Sequence, residues 1–190
     1  MSADFLSQDE VDALLKGELV NERFARYLRI GLFNYLHRSA EISVGSIRVQ
    51  KYSEFTRNLV VPTNLNLVSA RPLRGTALFV LDPSLVFLVV DNMFGGDGRF
   101  HTRVEGRDFT ATEQRIIQGM LRVIFAEYRR SWEPVYGLDF DYIRSEMNSQ
   151  FANIATPSEI VVSTTFSLEF GGASADMHIC FPYSMLEPIR

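Results

Sequence analysis

The sequence predicts a three-layer α/β/α domain made of two similar halves, preceded by a short N-terminal helix. Three observations predict it. A chain of 190 residues with 46% hydrophobic residues can bury one large core. The same order of elements occurs twice: a helix over 21–38, three strands and a helix opening at Asp82-Pro83-Ser84-Leu85, then a helix over 111–132, three strands and a helical turn opening at Pro182-Tyr183-Ser184-Met185. Repetition at a spacing of roughly ninety residues is the mark of a pseudo-twofold domain. Two three-stranded halves can share one sheet, with helices on both of its faces.

At the N-terminus, Ser7 and Glu10 form a capping box, with Leu6 and Val11 as its hydrophobic staple. Val11, Leu14 and Leu15 make one apolar stripe, and Lys16-Gly17 closes the helix. About ten residues is too short for a stable isolated helix. Such a segment folds in a partner's groove or docks on its own domain. In the helix over 21–38 the apolar face is Phe24, Tyr27, Leu28, Gly31, Leu32, Tyr35 and Leu36. Arg23, Arg26 and Arg29 crowd its first turns against the dipole, as partner contacts or as a solvent face.

Strands follow over 42–52, 64–70 and 75–81, with Pro62 holding the connection before the second off any central position. Asp82 is placed to cap the helix begun by Pro83. Leu85, Leu88, Val89 and Met93, with Val86, Val90 and Phe94 beside them, predict a helix apolar nearly all round and therefore buried. Gly95-Gly96 ends it in a left-handed turn, and Asp97-Gly98-Arg99 becomes a loop held on a rigid helix end. Thr110 and Glu113 cap the helix over 111–132, whose buried face is Ile116, Ile117, Met120, Leu121, Val123, Ile124 and Tyr128. Strands over 138–147, 160–171 and 175–181 complete the second half.

Composition excludes several functions. One cysteine allows no internal disulfide, and the three histidines lie far apart without metal-ligand spacing. No metal or cofactor site is predicted. No apolar run reaches the length of a membrane span and no signal peptide is present, so a cytosolic protein is expected. The net charge of −4 conceals a +6 block over 21–75 between two acidic blocks. Its bases are dispersed over helix and strands, which suits a solvated face or a protein interface and not nucleic acid.

The glycine loop is no dinucleotide site, because its glycines follow a helix, where carbonyls point outward. It resembles the Gly-Gly-acid turn of cyclic-dinucleotide synthases, but Gly98 stands where a second metal-binding acid is needed. It is a partner contact or an ordinary C-cap turn. Cys180 reads as a buried apolar residue. No Ser/His/Asp arrangement can be argued, and Asp91, Glu113 and Glu146 are single carboxylates without a second member.

Five blocks together resemble the FliM family of flagellar motor switch proteins: Leu6 to Leu15, Asn21 to Arg26, Arg57 to Asn66, Asp91 to Phe100, and Val104 to Phe109. The resemblance covers essentially the whole chain. It implies a peptide over 1–17 that captures phosphorylated CheY, with Leu6, Ser7, Gln8, Val11, Asp12, Leu14 and Leu15 on the binding motif. It implies a middle domain of CheC type over 21–190, with halves at about 21–98 and 109–190. It also implies that the loop Gly95, Gly96, Asp97, Gly98 and Arg99 contacts the rotor protein FliG. Neighbouring copies would then pack into a ring at the cytoplasmic face of the inner membrane, in the flagellar basal body, controlling rotation direction in chemotaxis without inserting into the bilayer. The family's long linker is reduced here to 18–20, so the peptide is expected to fold back on its own domain or a neighbour. The family's C-terminal domain, which joins FliN, has no counterpart before Arg190, so a truncated form is expected. A non-enzymatic adaptor is the leading reading. The alternative is a CheC-type phosphatase of phospho-CheY, which needs an acid and an asparagine one helical turn apart; Ile116 follows Glu113 and Ala25 follows Glu22 instead.

Overall fold

Ser7 starts the first helix as the capping box predicts: its Oγ accepts from the Glu10 N–H at 3.3 Å, and the Ser7 N–H donates to Glu10 Oε2 at 2.9 Å. The structure, a computed structural model, describes residues 7–96 and 108–189. Helix α1 (Gln8–Leu36) then runs without a break. The expected stop at Gly17 and the linker over 18–20 are therefore corrected, since these residues are helical and Val20 is fully buried. Gly17 serves close approach: a Cβ there would lie 2.9 Å from Ile47 Cδ1. The helix ends at His37, which adopts the left-handed conformation at φ 54°.

Strands β1 (Glu41–Val44) and β2 (Arg48–Lys51) replace the single first strand, interrupted at 45–47. A short helix α2 (Tyr52–Arg57) follows, where an irregular connection was expected. Next come β3 (Asn64–Arg71), β4 (Ala77–Leu81) and α3 (Pro83–Met93). The second half comprises α4 (Ala111–Trp132), β5 (Asp139–Glu146), β6 (Ile160–Phe170), β7 (Ala173–Pro182) and the short α5 (Tyr183–Leu186).

All strand pairs are antiparallel, in the order β1-β6-β7-β4-β3-β5, with β2 also on β6. The predicted duplication appears as a symmetric sheet. Its centre lies between β4 and β7, paired from Leu78↔Cys180 to Leu81↔Met177. Each half's first strand crosses to the other half: β1 and β2 pair with β6, and β5 pairs with β3. The halves are interlocked, so neither can complete its share of the sheet alone.

The layers are unequal. On one face α1, α3 and α4 cover Phe79, Leu81, Val68, Phe166 and Phe181. Phe24 meets Tyr128 and Phe166 there edge-on, at 4.8 and 5.2 Å between ring centroids. The other face holds a smaller core of Tyr52, Phe55, Leu65, Leu67, Val80, Val161 and Cys180, roofed by α2 and a 3-10 turn at Ser149–Phe151. Tyr52 donates its hydroxyl to the Ala152 carbonyl across that roof.

Burial pushes the Cys180 thiol and the Tyr52 and Tyr128 phenols above their ordinary values, because ionising them places a charge in the apolar interior. The unfolded chain then releases these protons first. Stability from this source is full below about pH 9.0, where a free thiol ionises, and falls further above 10.0, where free phenols do. The melting temperature should stay level from neutrality to that point and decline beyond it. Cys180→Ala should move the onset of the decline upward, as read by thermal unfolding in a pH series.

Candidate functional site

Two places emerge, one at each end of the predicted machinery. The first is the arm of α1 before Val20. Gln8 Nε2 donates to Asp12 Oδ1 at 3.1 Å, which stiffens the polar side of its first turn. The predicted stripe is split. Val11 and Leu15 point to solvent, Leu15 with 53% of its surface exposed, whereas Leu14 is half-buried. Leu14 roofs an apolar groove of about 520 Å³ floored by Ile47, Val49, Ile160 and Phe181, with Trp132 in its wall. Leu6 lies outside the described residues. The arm neither hangs free on a linker nor folds back; it extends the domain's first helix and stands over this groove.

The second place is the end of α3. The Gly96 N–H donates to the Asp91 carbonyl at 2.8 Å and the Gly95 N–H to the Asn92 carbonyl at 3.2 Å. These two bonds, with Gly95 at φ 85°, are a Schellman ending and satisfy carbonyls the helix leaves open. A Cβ on Gly95 would meet nothing among the described residues, while one on Gly96 would fall on the Asp91 carboxylate. Asp97, Gly98 and Arg99 lie outside the described residues. The expectation that α3 is buried nearly all round is corrected at its end. Leu85, Val86 and Val89 are buried, but Met93 is exposed and Phe94 is 73% exposed. The helix's last apolar side chains therefore face outward beside the glycines.

Asp82 is a further correction. It occupies the N-cap of α3, but its side chain makes no cap bond. Its Oδ1 lies 3.1 Å from His178 Nε2, and His178 Nδ1 lies 2.8 Å from Thr165 Oγ1. This hydroxyl–imidazole–carboxylate row leaves no mark in the sequence, because its members come from the end of β4, from β7 and from β6, which only the strand pairing brings together. With Phe55 set edge-on to the imidazole, the row ties the β4–α3 corner to the sheet. The expectation that Arg23, Arg26 and Arg29 oppose a helix dipole is corrected, because α1 begins at Gln8 and they lie in its middle; Arg23 donates to the Ser131 carbonyl on α4 at 3.1 Å, while Arg26 and Arg29 are exposed.

The model of the family "Flagellar motor switch protein FliM" matches residues 7–190. The chain belongs to the FliM family of flagellar motor switch proteins. A FliM from Escherichia coli is 56% identical over 91% of this chain. The chain spans 52% of that relative, about half its length. Among solved structures, the FliM middle domain of Vibrio alginolyticus superposes with a TM-score of 0.84 at 46% identity, over 92% of this chain and 98% of that one. FliM from a FliG–FliM complex of Helicobacter pylori shares the fold at a TM-score of 0.87 and 24% identity, over 97% and 98% of the two chains. A CheC-like superfamily protein from Shewanella shares it more distantly, with a TM-score of 0.52 at 10% identity over 85% and 96%. The family membership thus accords with a CheC-type α/β domain. Among the described residues no helix is long and apolar enough to cross a membrane.

Proposed function

We propose that this chain works as a non-enzymatic switch component of the flagellar motor, an adaptor that binds phosphorylated CheY at its arm and FliG at the Gly95–Arg99 loop. The observation that carries this reading is the end of α3. A hydrogen-bonded glycine turn ends the helix beside the exposed Met93 and Phe94, and a large exposed aromatic next to a fixed turn is a binding feature. The Helicobacter pylori complex pairs a FliM of this fold with FliG, which supports FliG as the partner. For the arm, support comes from Val11 and Leu15, which leave the helix as an apolar pair one turn apart, suited to a groove on a regulator. Ser7, Gln8 and Asp12 would hold the register at the capped end. Neighbouring copies in a ring, with FliN reached through a further domain, and a place at the cytoplasmic face of the membrane complete the proposal.

The phosphatase alternative finds no support in the helices. Glu113 is engaged in its capping box, accepting from the Thr110 N–H at 2.7 Å, and Ile116 is buried where the water-orienting asparagine would be needed. The test is a titration of CheY, phosphorylated and not, against the chain and against Leu14→Ala/Leu15→Ala. The parent should prefer the phosphorylated form. The double variant should lose about tenfold or more in affinity. Equal binding by parent and variant removes the arm from the proposal. Acceleration of phospho-CheY hydrolysis by more than a few-fold would replace the adaptor with an enzyme.

A further inference from the structure

On α1, Val11, Leu15, Leu19, Ile30 and Phe33 are all exposed, Leu19 at 54% and Ile30 at 61%. At about 100° per residue they fall on one side of the helix, opposite the buried Phe24, Leu28 and Leu32. Single exposed apolar residues are ordinary, but an aligned row over about 33 Å of helix is an interaction surface. In the gap of this row sit Glu22, Arg26 and Arg29, all exposed, and none forms an ion pair among the described residues.

We propose that, while its arm holds no regulator, this stripe binds the same stripe of a second copy, with the two α1 helices antiparallel about a twofold axis that passes between Glu22 and Arg26. The charge pattern selects both the partner and the register. With the axis at the level of residue 24, Glu22 of each copy meets Arg26 of the other, Leu15 meets Phe33, and the stem of Arg29 covers Leu19. A slip of one turn in either direction sets Glu22 against Glu22 or Arg26 against Arg26. The surface is therefore complementary to itself in one antiparallel arrangement. A twofold contact of this kind closes on itself, unlike the side-by-side packing that propagates a ring.

The full chain should show a concentration-dependent dimer in sedimentation velocity, with a dissociation constant on the order of 10 μM. Glu22→Arg alone and Arg26→Glu alone should each weaken it about tenfold or more, since both symmetry-related pairs become repulsive. An equimolar mixture of the two variants should dimerise again, because each then supplies the charges the other needs; a misfolded variant could not give that recovery. Leu15→Cys mixed with Phe33→Cys should form a disulfide-linked pair on oxidation that neither forms alone, with native Cys180 fully buried. A chain that stays monomeric at about 1 mM, a dimer indifferent to both charge reversals, or a mixture that does not recover would overturn the proposal.

Discussion

Gly95→Val should lose FliG binding by about tenfold or more while the domain stays folded, with its melting point lower by only a few degrees. The cause is conformational. Gly95 sits at φ 85°, and no atom of the described residues lies within 4 Å of the position a Cβ would take. What valine cannot do without strain is keep the left-handed backbone, which costs roughly 1–3 kcal/mol. The chain relieves that strain by opening the Schellman turn, and the two hydrogen bonds to Asp91 and Asn92 go with it. Phe94 then loses its fixed setting at the end of α3. For a domain of this size each kcal/mol shifts melting by about 2–4 °C, so the domain stays folded while the contact is lost. Gly95→Asn separates backbone from side-chain causes, because asparagine tolerates the left-handed region; it should retain most of the binding. Titrating FliG against the parent and both variants reads the result. Binding by Gly95→Val at parental strength would remove this turn from the contact.

The parts of this fold legible in the sequence are those set by local chemistry. Ser7 with Glu10 and Thr110 with Glu113 form the capping boxes their spacing requires, since the interacting atoms lie within one helical turn. Gly95 takes the left-handed turn because few other residues can. The failures share one cause: a partner distant in sequence decided the outcome. Gly17 looks like a helix stop, yet packing against Ile47 keeps α1 going, and the buried Val20 holds the arm to the body. Asp82 is a good cap by type, but His178 on the paired strand takes its carboxylate. Met93 and Phe94 have the period of a buried face and stay exposed. Period and hydrophobicity state what a side chain could bury, not whether a surface is there to bury it. The exchange of first strands between the halves has no local signature at all. Of the candidate site, the glycine turn was legible, while the split of Val11 and Leu15 from Leu14 depended on where the body lies beneath the arm.

The largest expected effect on stability is Phe24→Ala, with a loss of about 3–5 kcal/mol and a fall in melting temperature on the order of 10 °C. Phe24 is fully buried where α1, α4 and β6 meet, edge-on to both Tyr128 and Phe166. Truncation removes both ring contacts and leaves a cavity that three separate elements would have to close together. The same helix offers its own control, earlier in the arm: Leu15, 53% exposed, should lose about 0.5 kcal/mol or less on change to alanine. Phe24→Leu should fall between, because it keeps much of the volume and none of the ring geometry. Urea unfolding followed through Trp132, the single tryptophan and 6.1 Å from the Tyr128 ring, reports on this corner directly. A Leu15→Ala loss comparable to that of Phe24→Ala would mean the arm is bound into the core. The helix would then be one structural unit, and its first turns would have no surface left to offer a regulator.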